Sequence, residues 1–205
     1  MNDDIDRTLP MDVADALRET EETLSVAESC TGGLIGAAIT AVPGASDYFE
    51  SGLTTYAYDA KRRHLGVGRE PLDEHGAVSE PVAREMARGV RDVTNVTWGI
   101  STTGVAGPTG GSEETPVGTV FIGIAYAGPW GSESSYATVS RYEFSGDRAD
   151  VRAKTVDRAL ADLLAEVNGQ HPEAVDAETN IDLETDTDAD TGTGTDTETD
   201  TDTAE

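Results

Sequence analysis

Thr23-Leu24-Ser25-Val26-Ala27-Glu28-Ser29-Cys30-Thr31-Gly32-Gly33-Leu34-Ile35-Gly36-Ala37-Ala38-Ile39 is the stretch around which the rest of the chain arranges itself. Its first five residues are β-prone, and Leu34 to Ile39 carry an apolar helical pattern. Ser29 therefore stands where a strand turns into a helix. The first amides of a helix lack an intrahelical partner and carry the positive end of its dipole. Such a place can bind an anion, or stabilise the oxyanion formed when a hydroxyl attacks a carbonyl. The plainer alternative is that Ser29 or Thr31 caps the helix. Local sequence alone favours the cap.

Outward from this turn, the pattern predicts a helix over about 10–22, with Val13 and Leu17 inward, and a strand at 23–28. A helix over 32–42 ends at Val42-Pro43-Gly44. Tyr48 to Tyr58 reads as a strand, and Lys61 to Gly66 as a short helix closed by glycine. Residues 79–92 form a helix with Ser79 as its cap, Pro81 in its first turn, and Val82, Met86 and Val90 on one face. Trp98 to Thr103 reads as a buried strand running into a glycine-rich loop, Gly104 to Gly118. Val117–Ala127 and Ser134–Phe144 read as antiparallel neighbours, and a last helix covers about 147–167. Early alternation of helix and strand, then paired strands, predicts a layered α/β domain with a mixed sheet.

The chain has 205 residues and a formal net charge of -26. Residues 173–205 hold 13 acids and no Lys or Arg, while the rest holds 27 acids against 14 bases. Two units are expected: a domain over 1–171 and a disordered acidic tail over 172–205, whose Asp-Thr and Glu-Thr steps offer no core face. An excess of acid argues against nucleic acid or an anionic membrane as partner. Only Lys61 and Lys154 are lysines, which predicts a cytosol crowded with salt, as in a halophilic archaeon. One cysteine, Cys30, excludes an internal disulfide. No run approaches membrane-spanning length and the N-terminus lacks signal-peptide features, so a cytoplasmic protein is expected.

A serine needs a base before it can attack an amide. His64, His75 and His171 sit in surface-like contexts. A lysine can serve if its pKa is lowered, and Lys61 follows the strand ending near Tyr56 by a few residues. The competing reading, slightly favoured by the residues alone, makes Lys61 a solvated cation beside Arg62 and Arg63. The loop from Thr103 to Gly111 contains four glycines, which let backbone amides approach a ligand. It follows a strand in the same sense as Ser29, so the two loops predict a pocket at one sheet edge. Arg141, Arg148 and Arg152 are suited to a phosphate or carboxylate, and equally to surface ion pairs such as one with Asp150.

Ala27-Glu28-Ser29-Cys30-Thr31-Gly32-Gly33 resembles the signature of the CinA C-terminal domain, the nicotinamide-nucleotide amidase family. The resemblance continues through Gly52 to Lys61, Leu65-Gly66-Val67, His75 to Glu80, Thr103 to Pro108, Pro116 to Val120 and Gly146-Asp147-Arg148, over roughly residues 8–168. Tyr58-Asp59 departs from a more usual Asn-Glu, and Val105 from a common isoleucine. The resemblance implies a three-layer α/β/α sandwich, deamidation of nicotinamide mononucleotide to nicotinate mononucleotide, no metal and no cofactor. It matches Ser29 to the family's nucleophile, and Tyr56 and Lys61 to its other catalytic positions. A homo-oligomer is expected from the resemblance only.

The expected mechanism has Lys61, or Tyr56 as a relay, take the proton of Ser29. Amides of Thr31, Gly32 and Gly33 hold the oxyanion, and Thr103, Gly104, Gly107, Arg141 and Arg148 hold the small-molecule substrate. Cys30 is a rival nucleophile. A second class of function is a non-catalytic nucleotide sensor or partner-binding module using the same pocket.

Overall fold

The computed structural model describes residues 8–170. Its centre is the strand Leu24–Glu28 (β1), buried at every residue. Strands Phe49–Thr54 (β2) and Trp98–Gly104 (β3) flank β1, both parallel to it. Thr119–Tyr126 (β4) pairs antiparallel with β3, and Tyr136–Glu143 (β5) antiparallel with β4. The order β2-β1-β3-β4-β5 is the expected mixed sheet.

Both faces are covered, which is why β1 is buried at every residue without alternation. Val26 and Ile100 face a layer built from helices Thr8–Glu19 (α1), Leu34–Thr40 (α2) and Arg148–Gln170 (α6), through Val13, Leu17, Ile35, Ile39 and Leu160. Ala27 faces the opposite layer, made by Tyr58–Leu65 (α3), Arg69–His75 (α4) and Glu80–Thr94 (α5), through Leu65, Leu72, Val82, Met86 and Val90. The result is a three-layer α/β/α sandwich.

Four details differ from the sequence expectation. The second strand stops at Thr54, and Tyr58 already belongs to α3, because residues 55–57 peel away from the sheet. Helix α4 is an element the sequence pattern did not predict; Pro71 is tolerated in its first turn, and the buried Leu72 anchors it. Ser79 occupies the position ahead of α5, but its hydroxyl donates backward to the Gly76 carbonyl at 2.9 Å. The last helix runs on to Gln170. His171 and the acidic segment 172–205 lie outside the described residues.

The two tryptophans have opposite surroundings. Trp98 is fully buried, donates its indole N–H to Glu22 Oε2 at 2.7 Å, and packs 4.7 Å from the Tyr126 ring. Trp130 stands wholly exposed in the connection between β4 and β5. Among the described residues, no helix is long and apolar enough to cross a membrane.

This topology positions a site. Neighbouring parallel strands β1 and β2 are followed at their carboxyl ends by α2 and α3, which lie in opposite layers. Such a divergence opens a crevice beyond the strand ends. Ser29 and Lys61 both belong to it.

Candidate active site

Ser29 is half-buried directly after β1, and its N–H donates to the Thr102 carbonyl of β3 at 2.9 Å. The Thr31 and Thr102 hydroxyls are hydrogen-bonded at 2.8 Å, so the turn is pinned to β3 twice. Lys61 reaches in from α3. It is 0% exposed, whereas Arg62 and Arg63 remain at the surface. Its Nζ lies 3.0 Å from Ser29 Oγ, 2.7 Å from the Thr55 carbonyl and 3.3 Å from the Tyr56 carbonyl.

That set of partners suits both protonation states. The ammonium donates to all three oxygens. The neutral amine donates to the two carbonyls and turns its lone pair to the serine hydroxyl. Burial pushes the Lys61 pKa down to about 8. About a tenth of the side chain is then already neutral at pH 7. The arrangement can deprotonate a serine and return the proton to a leaving group.

Glu28 changes the expected oxyanion site. Its carboxylate, 1% exposed, accepts the N–H groups of Gly33 at 2.9 Å and Ile35 at 3.2 Å on one oxygen, and of Gly36 at 2.9 Å on the other. The start of α2 is thus already occupied by a tethered anion, and the Gly33 amide is not available to a substrate. The expectation that Ser29 or Thr31 caps the helix is corrected: α2 opens at Leu34 with Gly33 at its cap and no side-chain cap bond, so the Glu28 carboxylate takes the free amides instead.

Tyr56 is also corrected. Its hydroxyl accepts from Arg148 Nη2 at 3.2 Å and its side chain is largely exposed, so only its backbone carbonyl meets Lys61. The relay role does not fit this geometry. Arg148 Nη1 donates to the Gly107 carbonyl at 2.8 Å, which joins Tyr56, Arg148 and the glycine loop into one wall. Arg152, one helical turn along α6, donates through Nε at 3.3 Å and Nη2 at 2.7 Å to the Thr31 carbonyl.

The remaining candidates divide. Thr103 is buried with its hydroxyl donated to the Ala77 carbonyl at 2.6 Å, so it braces the loop rather than facing a ligand. Gly104 meets β4 so closely that a Cβ would lie 2.6 Å from the Thr119 carbonyl; its place is set by packing. Arg141 is on β5, the edge strand farthest from β2, and is held by Glu143 at 2.7 Å and the Glu114 carbonyl at 3.1 Å. It does not join the cluster around Ser29. His64 is exposed, and His75 ends α4 beside Glu74. Among the described residues no three His, Cys, Asp or Glu side chains gather as a metal would require.

Cys30 is 5% exposed, and burial pushes its thiol up to about 11. A thiol so poorly ionised is a weak nucleophile. If Ser29 is the nucleophile of this site, Cys30→Ser is expected to keep any hydrolytic turnover within about threefold of wild type. Collapse of activity would move the nucleophile from Ser29 to Cys30.

The profile described as the CinA C-terminal domain matches residues 6–167. A CinA-like protein of Chlorobaculum tepidum is 47% identical over 160 residues, covering 78% of this chain and 37% of that protein. A CinA-like protein of Salinibacter ruber is 48% identical over 143 residues, covering 70% and 33%. The chain thus spans about a third of the length of these curated relatives. Among solved structures, a competence-damaged protein of the CinA superfamily from Klebsiella pneumoniae superposes with a TM-score of 0.73 at 34% identity, covering 80% of this chain and 98% of that one. A competence/damage inducible protein from Agrobacterium tumefaciens gives 0.73 at 36% identity, covering 79% and 94%.

Proposed function

Because this chain belongs to the CinA C-terminal domain family, we propose that it is an amidohydrolase that converts nicotinamide mononucleotide and water to nicotinate mononucleotide and ammonia. The observation that carries this reading is the 3.0 Å contact between Lys61 Nζ and Ser29 Oγ in a buried setting. A lysine whose pKa burial lowers to about 8 can act as the base that activates the serine beside it.

Lys61 takes the Ser29 proton as Oγ attacks the carboxamide carbon. The tetrahedral intermediate collapses, its C–N bond breaks, and protonated Lys61 gives that proton to the departing amine. The nicotinoyl ester on Ser29 remains. Lys61, neutral again, takes a proton from water, which attacks the ester carbonyl. Collapse frees the carboxylic acid, which gives its proton to the solvent to become the carboxylate, and Lys61 returns its own proton to Ser29. Arg148, with Tyr56 and the Gly107 loop, supplies the cationic wall for the ribose phosphate.

The acid excess of the chain supports operation in concentrated salt, where self-repulsion is screened. The test is ammonia release from nicotinamide mononucleotide by the full chain, assayed from low salt to molar potassium chloride. Turnover that needs Ser29 supports the amidase. Saturable binding of the nucleotide without ammonia release supports a sensor instead.

A further inference from the structure

The turn between Ser29 and α2 is held at two places by charged side chains. At its far end Glu28 takes the Gly33, Ile35 and Gly36 amides. In its middle Arg152 takes the Thr31 carbonyl with two nitrogens. Between these two anchors and ahead of the helix lies the Gly32 N–H, for which no acceptor is found among the described residues. Gly32 is exposed, and its φ of +62° is the left-handed conformation that glycine adopts without strain.

The Thr31–Gly32 peptide is planar and trans, so its carbonyl and its N–H point in opposite directions. A guanidinium that fixes the carbonyl therefore fixes the N–H. We infer that Arg152 is a positioning residue: it orients the Thr31–Gly32 peptide so that the Gly32 N–H serves as the oxyanion donor for attack by Ser29. This rests on the amidase reading above and narrows its oxyanion site from a row of helix amides to one peptide. Arg148 and Arg152, one turn apart on the same face of α6, then divide the work. Arg148 faces Tyr56 and the Gly107 loop, while Arg152 acts through the backbone of the nucleophile's own turn.

An oxyanion donor counts only where charge develops, so its loss appears in kcat and not in KM. Arg152→Met, assayed as the full chain with nicotinamide mononucleotide, is expected to lower kcat about 10- to 100-fold with KM within about twofold. Arg152→Lys, which keeps one donor for the Thr31 carbonyl, is expected to recover part of the loss; it also carries the test if the Met variant does not fold. Labelling of Ser29 by a fluorophosphonate, read by mass spectrometry, should slow in the same order, because the phosphonyl oxygen draws on the same donor. A raised KM with unchanged kcat would make Arg152 a substrate contact and overturn the positioning role. Wild-type kcat in Arg152→Met would also overturn it, while leaving the amidase standing. A wild-type protein that neither releases ammonia nor takes the label at Ser29 would overturn the amidase reading, and the oxyanion assignment with it.

Discussion

Ser29→Ala is expected to lower ammonia release from nicotinamide mononucleotide by on the order of 10⁴- to 10⁶-fold, the scale on which removal of a serine nucleophile acts. The loss should fall on kcat, with nucleotide binding retained, because Arg148, Tyr56 and the Gly107 loop are untouched. The fold should be unaffected. The Ser29 backbone keeps its bond to Thr102, and Lys61 keeps the Thr55 and Tyr56 carbonyls as acceptors. Equal thermal melts for the two proteins, with activity only in the wild type, is the expected pair of results. Residual turnover above about one per cent of wild type would show that another group attacks.

Lys61→Met is expected to cost about 10³-fold or more, since it removes the base for both half-reactions. Lys61→Arg should be no better, because a guanidinium does not give up its proton in a protein. The pH dependence makes the same claim without mutation. Free-enzyme activity, kcat/KM, should climb about tenfold per unit below a pKa of about 8 and level off above it. The direction follows from burial, which disfavours the charged amine. The same displacement acts on folding. Between about 8 and the ordinary 10.5 the unfolded chain binds more protons at this residue, so stability contributed by Lys61 rises with pH there, and the full penalty is felt below about 8. A profile flat from pH 6 to 9 would remove Lys61 from the proton transfers.

What could be read from sequence and what could not follows the range of the interactions. The strand at 24–28 and the turn at Ser29 were legible, because an apolar run meets a helical repeat within a few residues. The buried face of α5, with Val82, Met86 and Val90, was legible for the same reason. Lys61 was not settled by its neighbours, since Arg62 and Arg63 have the same polarity and lie at the surface. Its burial depends on β2 ending at Thr54 and on α3 entering the layer opposite α2. The Tyr56 hydroxyl and Arg141 are not brought to Ser29, for different reasons. The Tyr56 hydroxyl is drawn away by an arginine 92 residues later, and Arg141 is committed to partners around the outer sheet edge. Glu28 was read as one letter of a motif. Its role needed the missing cap of α2 to be noticed together with a carboxylate ending a buried strand.

The two indoles provide a built-in optical control for every variant named above. Trp98, sealed against Tyr126 beside Glu22, will emit at short wavelength and resist acrylamide until the sheet opens. Trp130, bathed in solvent, will emit at long wavelength and be quenched at once. A spectrum that separates into one protected and one accessible emitter certifies that an inactive protein has lost its chemistry and kept its architecture.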